Sequence, residues 1–259
     1  MSGELWGEIG ILAGRSVRRT LRQPILIVPT IVFPLFLLAV NASGLESATK
    51  IPGFPTASYL DFAISVTFMQ GALFAATTAG TELANDIETG FLNRLQLTPL
   101  RGTAVLAGQM AGALVLALIG AISYLVIGLI AGVHVAAGVG GAVVLVALAL
   151  VVALAFGSIG ALFAARTGSS QAVQGLFPLL FVLFFLSSMS LPRPLIEIDW
   201  FRTVATWNPV SYLVEGLRSL VITGWDGTAL WRGFGVALAV AAGGLLLAAS
   251  ALRTRMERT

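Results

Sequence analysis

The chain has 259 residues, of which 57% are hydrophobic and 10% charged, with a net charge of +3 and a mean hydropathy of +0.94. Soluble domains are nearer a quarter charged, so the composition excludes a soluble globular protein and specifies an all-α integral membrane protein. The chain has no cysteine and only one histidine, His134, which excludes disulfides, thiolate metal sites and a cysteine nucleophile; the modest positive charge reads as loop asymmetry, not nucleic-acid binding.

Residues 1–24 place Leu5, Ile9, Leu12, Ser16, Val17 and Leu21 at helical spacing and gather Arg15, Arg18, Arg19 and Arg22 near the end. This predicts an amphipathic helix in the headgroup plane, arginines toward anionic lipid, ended by Pro24. A plain cytoplasmic lead-in is the simpler alternative. A signal peptide ending near Ala42 fits poorly, because the charged region is long and Pro29 and Pro34 interrupt the apolar run.

A membrane crossing needs about 20 apolar residues. Six runs fit: 25–40, 62–80, 103–131, 139–164, 172–189 and 234–252. Residues 102–165 contain no Asp, Glu, Lys or Arg. That is too long for one crossing at about 1.5 Å per residue, so a turn is placed near 132–141. Six spans put both termini on one side. That side holds ten Lys and Arg and the other five, so the termini face the cytoplasm of an inner (plasma) membrane.

The connection after the second span is charged. Glu82 and Asp86 are four apart and share a helix face. Ile87, Phe91 and Leu95 form an apolar stripe, the acids precede Arg94 as the helix dipole favours, and Gly90 is a weak point. Such a helix fits the membrane surface or a groove on a cytoplasmic partner.

The connection 191–231 is the other large polar piece. Asn208 reads as an N-cap with Pro209 in the first turn, starting a short helix to Leu220. Glu215 and Arg218 are three apart and can pair. Trp200, Trp207, Tyr212, Trp225 and Trp231 form an interfacial belt. An external re-entrant helical hairpin fits, with an ordinary loop on the headgroups as the simpler alternative.

The span centres hold no ionisable residue, and Gln70 is the one strongly polar side chain well inside. That excludes a proton relay. No Walker A, His-Glu-x-x-His or Gly-x-Ser-x-Gly sequence is present. The spans therefore carry no chemistry, and energy must come from elsewhere.

The stretch Asp86-Ile-Glu-Thr-Gly-Phe-Leu-Asn-Arg-Leu-Gln-Leu-Thr-Pro99 resembles the cytoplasmic motif of type-2 ABC exporter permeases, and Asn208-Pro-Val-Ser-Tyr-Leu-Val-Glu-Gly-Leu-Arg218 resembles their motif before the last span. Ile87 stands where a basic residue is common and Phe91 where Thr is common, a form more like the daunorubicin-resistance branch.

The resemblance implies a single transmembrane domain over 1–259 that is not itself an enzyme and exports hydrophobic or amphipathic drugs or lipids. It implies a homodimer of permeases docked on two copies of a separately encoded ATP-binding subunit, which would bind ATP and Mg. Residues 85–100, led in by Glu82, would hold the coupling helix, with Asp86, Glu88 and Arg94 as rim ion pairs, Gly90 at its middle, and Phe91 and Leu95 as anchors. Asn208, Pro209, Tyr212, Glu215 and Arg218 would form the re-entrant motif. The path would run at the dimer interface past Phe33, Phe36, Phe68, Gln70, Phe74, Phe177, Phe181 and Phe184, although phenylalanine in a span commonly faces lipid or packs neighbours. Gly108-x-x-x-Gly112 and Gly128-x-x-x-Gly132 would permit close helix contacts. A permease for a lipid-linked glycan, or a scaffold without transport, are the competing readings.

Overall fold

The computed structural model describes residues 2–92 and 102–258, and every regular element among them is helical. In chain order these are α1 (Ser2–Leu21), α2 (Pro24–Gly44), α3 (Tyr59–Glu88), α4 (Gly102–Ile130), α5 (Gly138–Thr167), α6 (Ser170–Phe185), α7 (Asp199–Trp207), α8 (Pro209–Ile222) and α9 (Gly227–Arg258). Short 3-10 turns cover Glu46–Lys50 and Arg193–Leu195.

Helices α2, α3, α4, α5 and α9 are long and apolar enough to cross a membrane. The expected crossing at 172–189 is shorter. Helix α6 has 16 residues, about 24 Å, against about 30 Å of hydrocarbon. It stops because the next residues favour turns: the Ser187 hydroxyl donates back to the Phe184 carbonyl at 2.5 Å, and Pro192 follows.

Helix α3 is the axis of the bundle. Its most apolar stretch is 88% buried, against 17% for α2. It packs against α2, α4, α5, α6 and α8. The crossing with α5 is tight because Gly80 and Gly160 face each other; a Cβ on Gly160 would lie 2.1 Å from the Ala76 carbonyl oxygen. The pair Gly108 and Gly112 does the same for α4 against α1, where added methyls would strike Leu12 and Ser16. The second small-residue pair does not act as expected. Gly128 packs on Ile64, but Gly132 has a φ of +102° and turns the chain after α4 with open space around it.

Helix α2 contains Pro29 and Pro34. A proline removes the hydrogen bond to the carbonyl four residues earlier. For Pro34 that carbonyl is Thr30, and the buried Tyr124 hydroxyl of α4 donates to it. The break in one helix is thus repaired from another, as hydrocarbon requires.

The molecule has two polar ends. At the loop end, the Tyr59 hydroxyl donates to the Ser190 carbonyl, His134 N–H to Asp61, and Ala136 N–H to the Val221 carbonyl. At the α1 end lie the last turns of α3, the start of α6 and the last turn of α9.

Candidate functional site

The α1 end builds from two helices with matched charge spacing. Arg15 and Arg19 are four apart on α1; Glu82 and Asp86 are four apart on α3. Arg15 Nη2 donates to both Asp86 oxygens at 2.8 Å. Arg19 reaches Asp86 at 3.5 Å and Glu82 at 3.9 Å. The Ser16 hydroxyl donates to Glu82 at 3.1 Å, and Gln109 Nε2 of α4 donates to Asp86 at 2.7 Å. Both acids are buried, with 4% and 5% exposure. The orphaned buried side-chain atoms among the described residues, on Thr20, Glu82 and Gln109, all belong to residues packed around this network.

This placement corrects two expectations. Asp86 faces inward onto α1 instead of outward as a rim charge, because two arginines and an amide already fill its oxygens. And α1 does not turn all its arginines to lipid: Arg15 and Arg19 point into the protein, while Arg18 and Arg22 stay exposed.

The segment 85–88 is also not the start of a separate helix. It is the last turn of α3, which ends at Thr89 and Gly90, the latter with a φ of +66°. That left-handed position favours glycine. Phe91 follows, with the Arg15 guanidinium 3.8 Å from its ring centroid. Glu88 is exposed and accepts from the Ser170 N–H at 2.8 Å and its hydroxyl at 3.0 Å, placing a carboxylate at the N-terminus of α6. Arg94 and Leu95 lie outside the described residues.

The expected path residues divide. Phe33 of α2, Phe74 of α3, and Phe177 and Phe181 of α6 form a continuous aromatic ladder, with centroid distances of 6.0, 5.8 and 5.4 Å. Phe36 is exposed on α2. Phe68 and Gln70 are buried, Phe68 edge-on to Tyr124. Phe184 is fully buried and touches the ladder only through Phe181. Phe68, Gln70 and Phe184 therefore belong to the packed core of one chain.

At the loop end, Asn208 caps α8: its Oδ1 accepts from Val210 N–H at 2.9 Å while its Nδ2 donates to the Leu183 carbonyl at 2.6 Å. Pro209 fills the first turn. The Tyr212 hydroxyl donates to the Thr206 carbonyl at 2.8 Å. Glu215 and Arg218 do not bond each other. Glu215 takes Arg193 in a two-point pair, Nε at 2.7 Å, and accepts the Ser188 hydroxyl at 3.0 Å. Burial pulls the Arg193 pKa down, but Glu215 and Tyr212 outweigh it and hold the guanidinium above its usual value. Arg218 is buried over the Phe62 ring and donates to the carbonyls of Ser188, Met189 and Phe62 at 3.0, 2.9 and 3.4 Å. It staples the turn after α6 to α3.

Arg15, Arg19, Gln109, Ser170 and Arg193 were not singled out as site residues from the sequence. The matched four-residue spacing of Arg15/Arg19 and Glu82/Asp86 is the signal that could have paired them.

The family profile described as ABC-2 type transporter matches residues 7–222. The chain belongs to this family. It is accordingly a multi-pass membrane protein. Among relatives of this ABC-2 chain, the daunorubicin resistance ABC transporter permease protein DrrB1 of Streptomyces coeruleorubidus is 27% identical over 196 residues, 73% of this chain and 65% of the relative's own length. The chain thus spans just under two thirds of that relative. The branch expected from Ile87 and Phe91 is the one this ABC-2 relative comes from.

Proposed function

We propose that the chain is the transmembrane subunit of an ATP-driven exporter for hydrophobic or amphipathic drugs or lipids, with both termini in the cytoplasm. It has no ATPase site of its own. A separately encoded ATP-binding subunit binds ATP and Mg and docks on the segment that begins at the end of α3. Membership of the ABC-2 family is the observation that carries this reading, and the likeness to a daunorubicin resistance permease favours a drug cargo.

The described geometry supports a route for the work. A push on the chain beyond Gly90 acts on α3 at once. It reaches α1 through Asp86 and Arg15, and α6 through Glu88 and Ser170. Helix α6 carries Phe177 and Phe181, so its displacement re-spaces the aromatic ladder against α2. A second copy of the chain is proposed to cover the exposed apolar faces of α2 and α6, placing the ladder beside the dimer interface.

The test is reconstitution with the cognate ATP-binding subunit in lipid vesicles, followed by ATP hydrolysis across a panel of lipids and cationic amphiphiles. A stable complex with cargo-stimulated hydrolysis is expected, and Glu88→Arg should uncouple it. No stable complex, together with unchanged hydrolysis in Glu88→Arg, sinks the reading.

A further inference from the structure

A cleft of about 610 Å³ opens at the loop end between the turn after α6, α8 and the start of α9. This is the size class of small-molecule sites. Its charged lining is three arginines, Arg193, Arg202 and Arg218, and two acids, Glu215 and Asp226. Four of these five are already occupied. Arg193 is paired to Glu215 and Arg202 to Asp199. Asp226 caps α9, accepting from the N–H groups of Thr228 and Ala229 at 2.9 and 3.1 Å.

Arg218 is different. It is 7% exposed, it donates to carbonyl dipoles and lies over a phenyl ring, and the Glu215 carboxylate that attracts it from one turn away is bonded to Arg193 instead. Three bonds leave part of its five-donor fork unused. A buried charge is normally paired with an opposite one, and this one lines an open cleft whose other walls include Pro55, Phe62 and Ile222. We propose that this cleft binds one amphiphile with an oxyanion head, carboxylate or phosphate, seated at Arg218, and an apolar body against those walls. The site rests on this chain's own residues and does not depend on transport. On the charge count it faces away from the cytoplasm, where an anionic lipid of the outer leaflet or an anionic amphiphilic solute could supply the same head.

Native mass spectrometry of the purified full chain in a neutral detergent tests this. The probes are phosphatidylglycerol and oleate, each against a net-neutral counterpart, phosphatidylcholine and methyl oleate. At least one anionic probe should bind as a single molecule, about tenfold or more tighter than its counterpart. Phosphatidylglycerol alone would assign the site to lipid; oleate alone would assign it to a solute. Thr223→Trp, just past the end of α8, and Thr206→Trp on α7 fill the cleft from two sides without touching a bond of Arg218, and each should weaken binding about tenfold. The proposal is overturned if neutral and anionic probes bind alike, if neither anionic probe binds, or if the folded filling variants bind as the parent does.

Discussion

Glu88 and Ser170 lie 82 positions apart and meet at the junction of α3 and α6, the carboxylate accepting both the backbone N–H and the hydroxyl of the serine. The end of one membrane helix thus caps the start of another. Glu88→Ala removes an anion from an exposed helix N-terminus and should cost about 1 kcal/mol. Glu88→Gln should recover part of it. Thermal unfolding of the purified protein in detergent checks both.

Asp86→Ala strips the acid from two half-buried arginines and the amide of Gln109. The expected loss is about 2–3 kcal/mol, below that of a fully buried pair because Arg15 and Arg19 keep partial contact with solvent. A double-mutant cycle with Arg15→Ala should return a coupling of about 1–2 kcal/mol. Additive losses would show that the contact holds nothing together.

Tyr124→Phe deletes one oxygen and leaves the Thr30 carbonyl without a partner inside a proline-broken helix. A loss of about 1–3 kcal/mol is expected. The same change at Tyr212, whose hydroxyl bonds an exposed turn of α7, should cost less than half as much.

Gly160→Ala forces a methyl into the backbone of α3 and should destabilise by about 1–3 kcal/mol or block folding. Gly243→Ala, where nothing lies within 4 Å, should be neutral or slightly stabilising. The contrast is read from paired melting curves.

Asn208→Ala breaks two bonds, the cap on α8 and the tie to the Leu183 carbonyl. About 1–3 kcal/mol should be lost. Asn208→Asp keeps the cap and loses the tie, so it should fall between.

The long apolar runs made most helices legible, because a crossing is written as local composition. The Asn208–Pro209 start was legible for the same reason: cap chemistry is local. Partners were not. Asp86 finds Arg15 across 71 positions, and a helix face does not say what covers it. Glu215 had a local candidate three residues on, but Arg218 turns its donors to the carbonyls of Ser188, Met189 and Phe62 and leaves both carboxylate oxygens to Arg193. The short α6 was hidden because Leu186 and Met189 continue the apolar run while the serines between them end the helix.

Arg218 grips α3 near its first turn and Arg15 grips it near its last. The thirty residues of α3 make a rod of about 45 Å. With one tip as the pivot, a tilt of such a rod by about 5° would sweep the other tip through roughly 4 Å. That is about three-quarters of the rise of one helical turn.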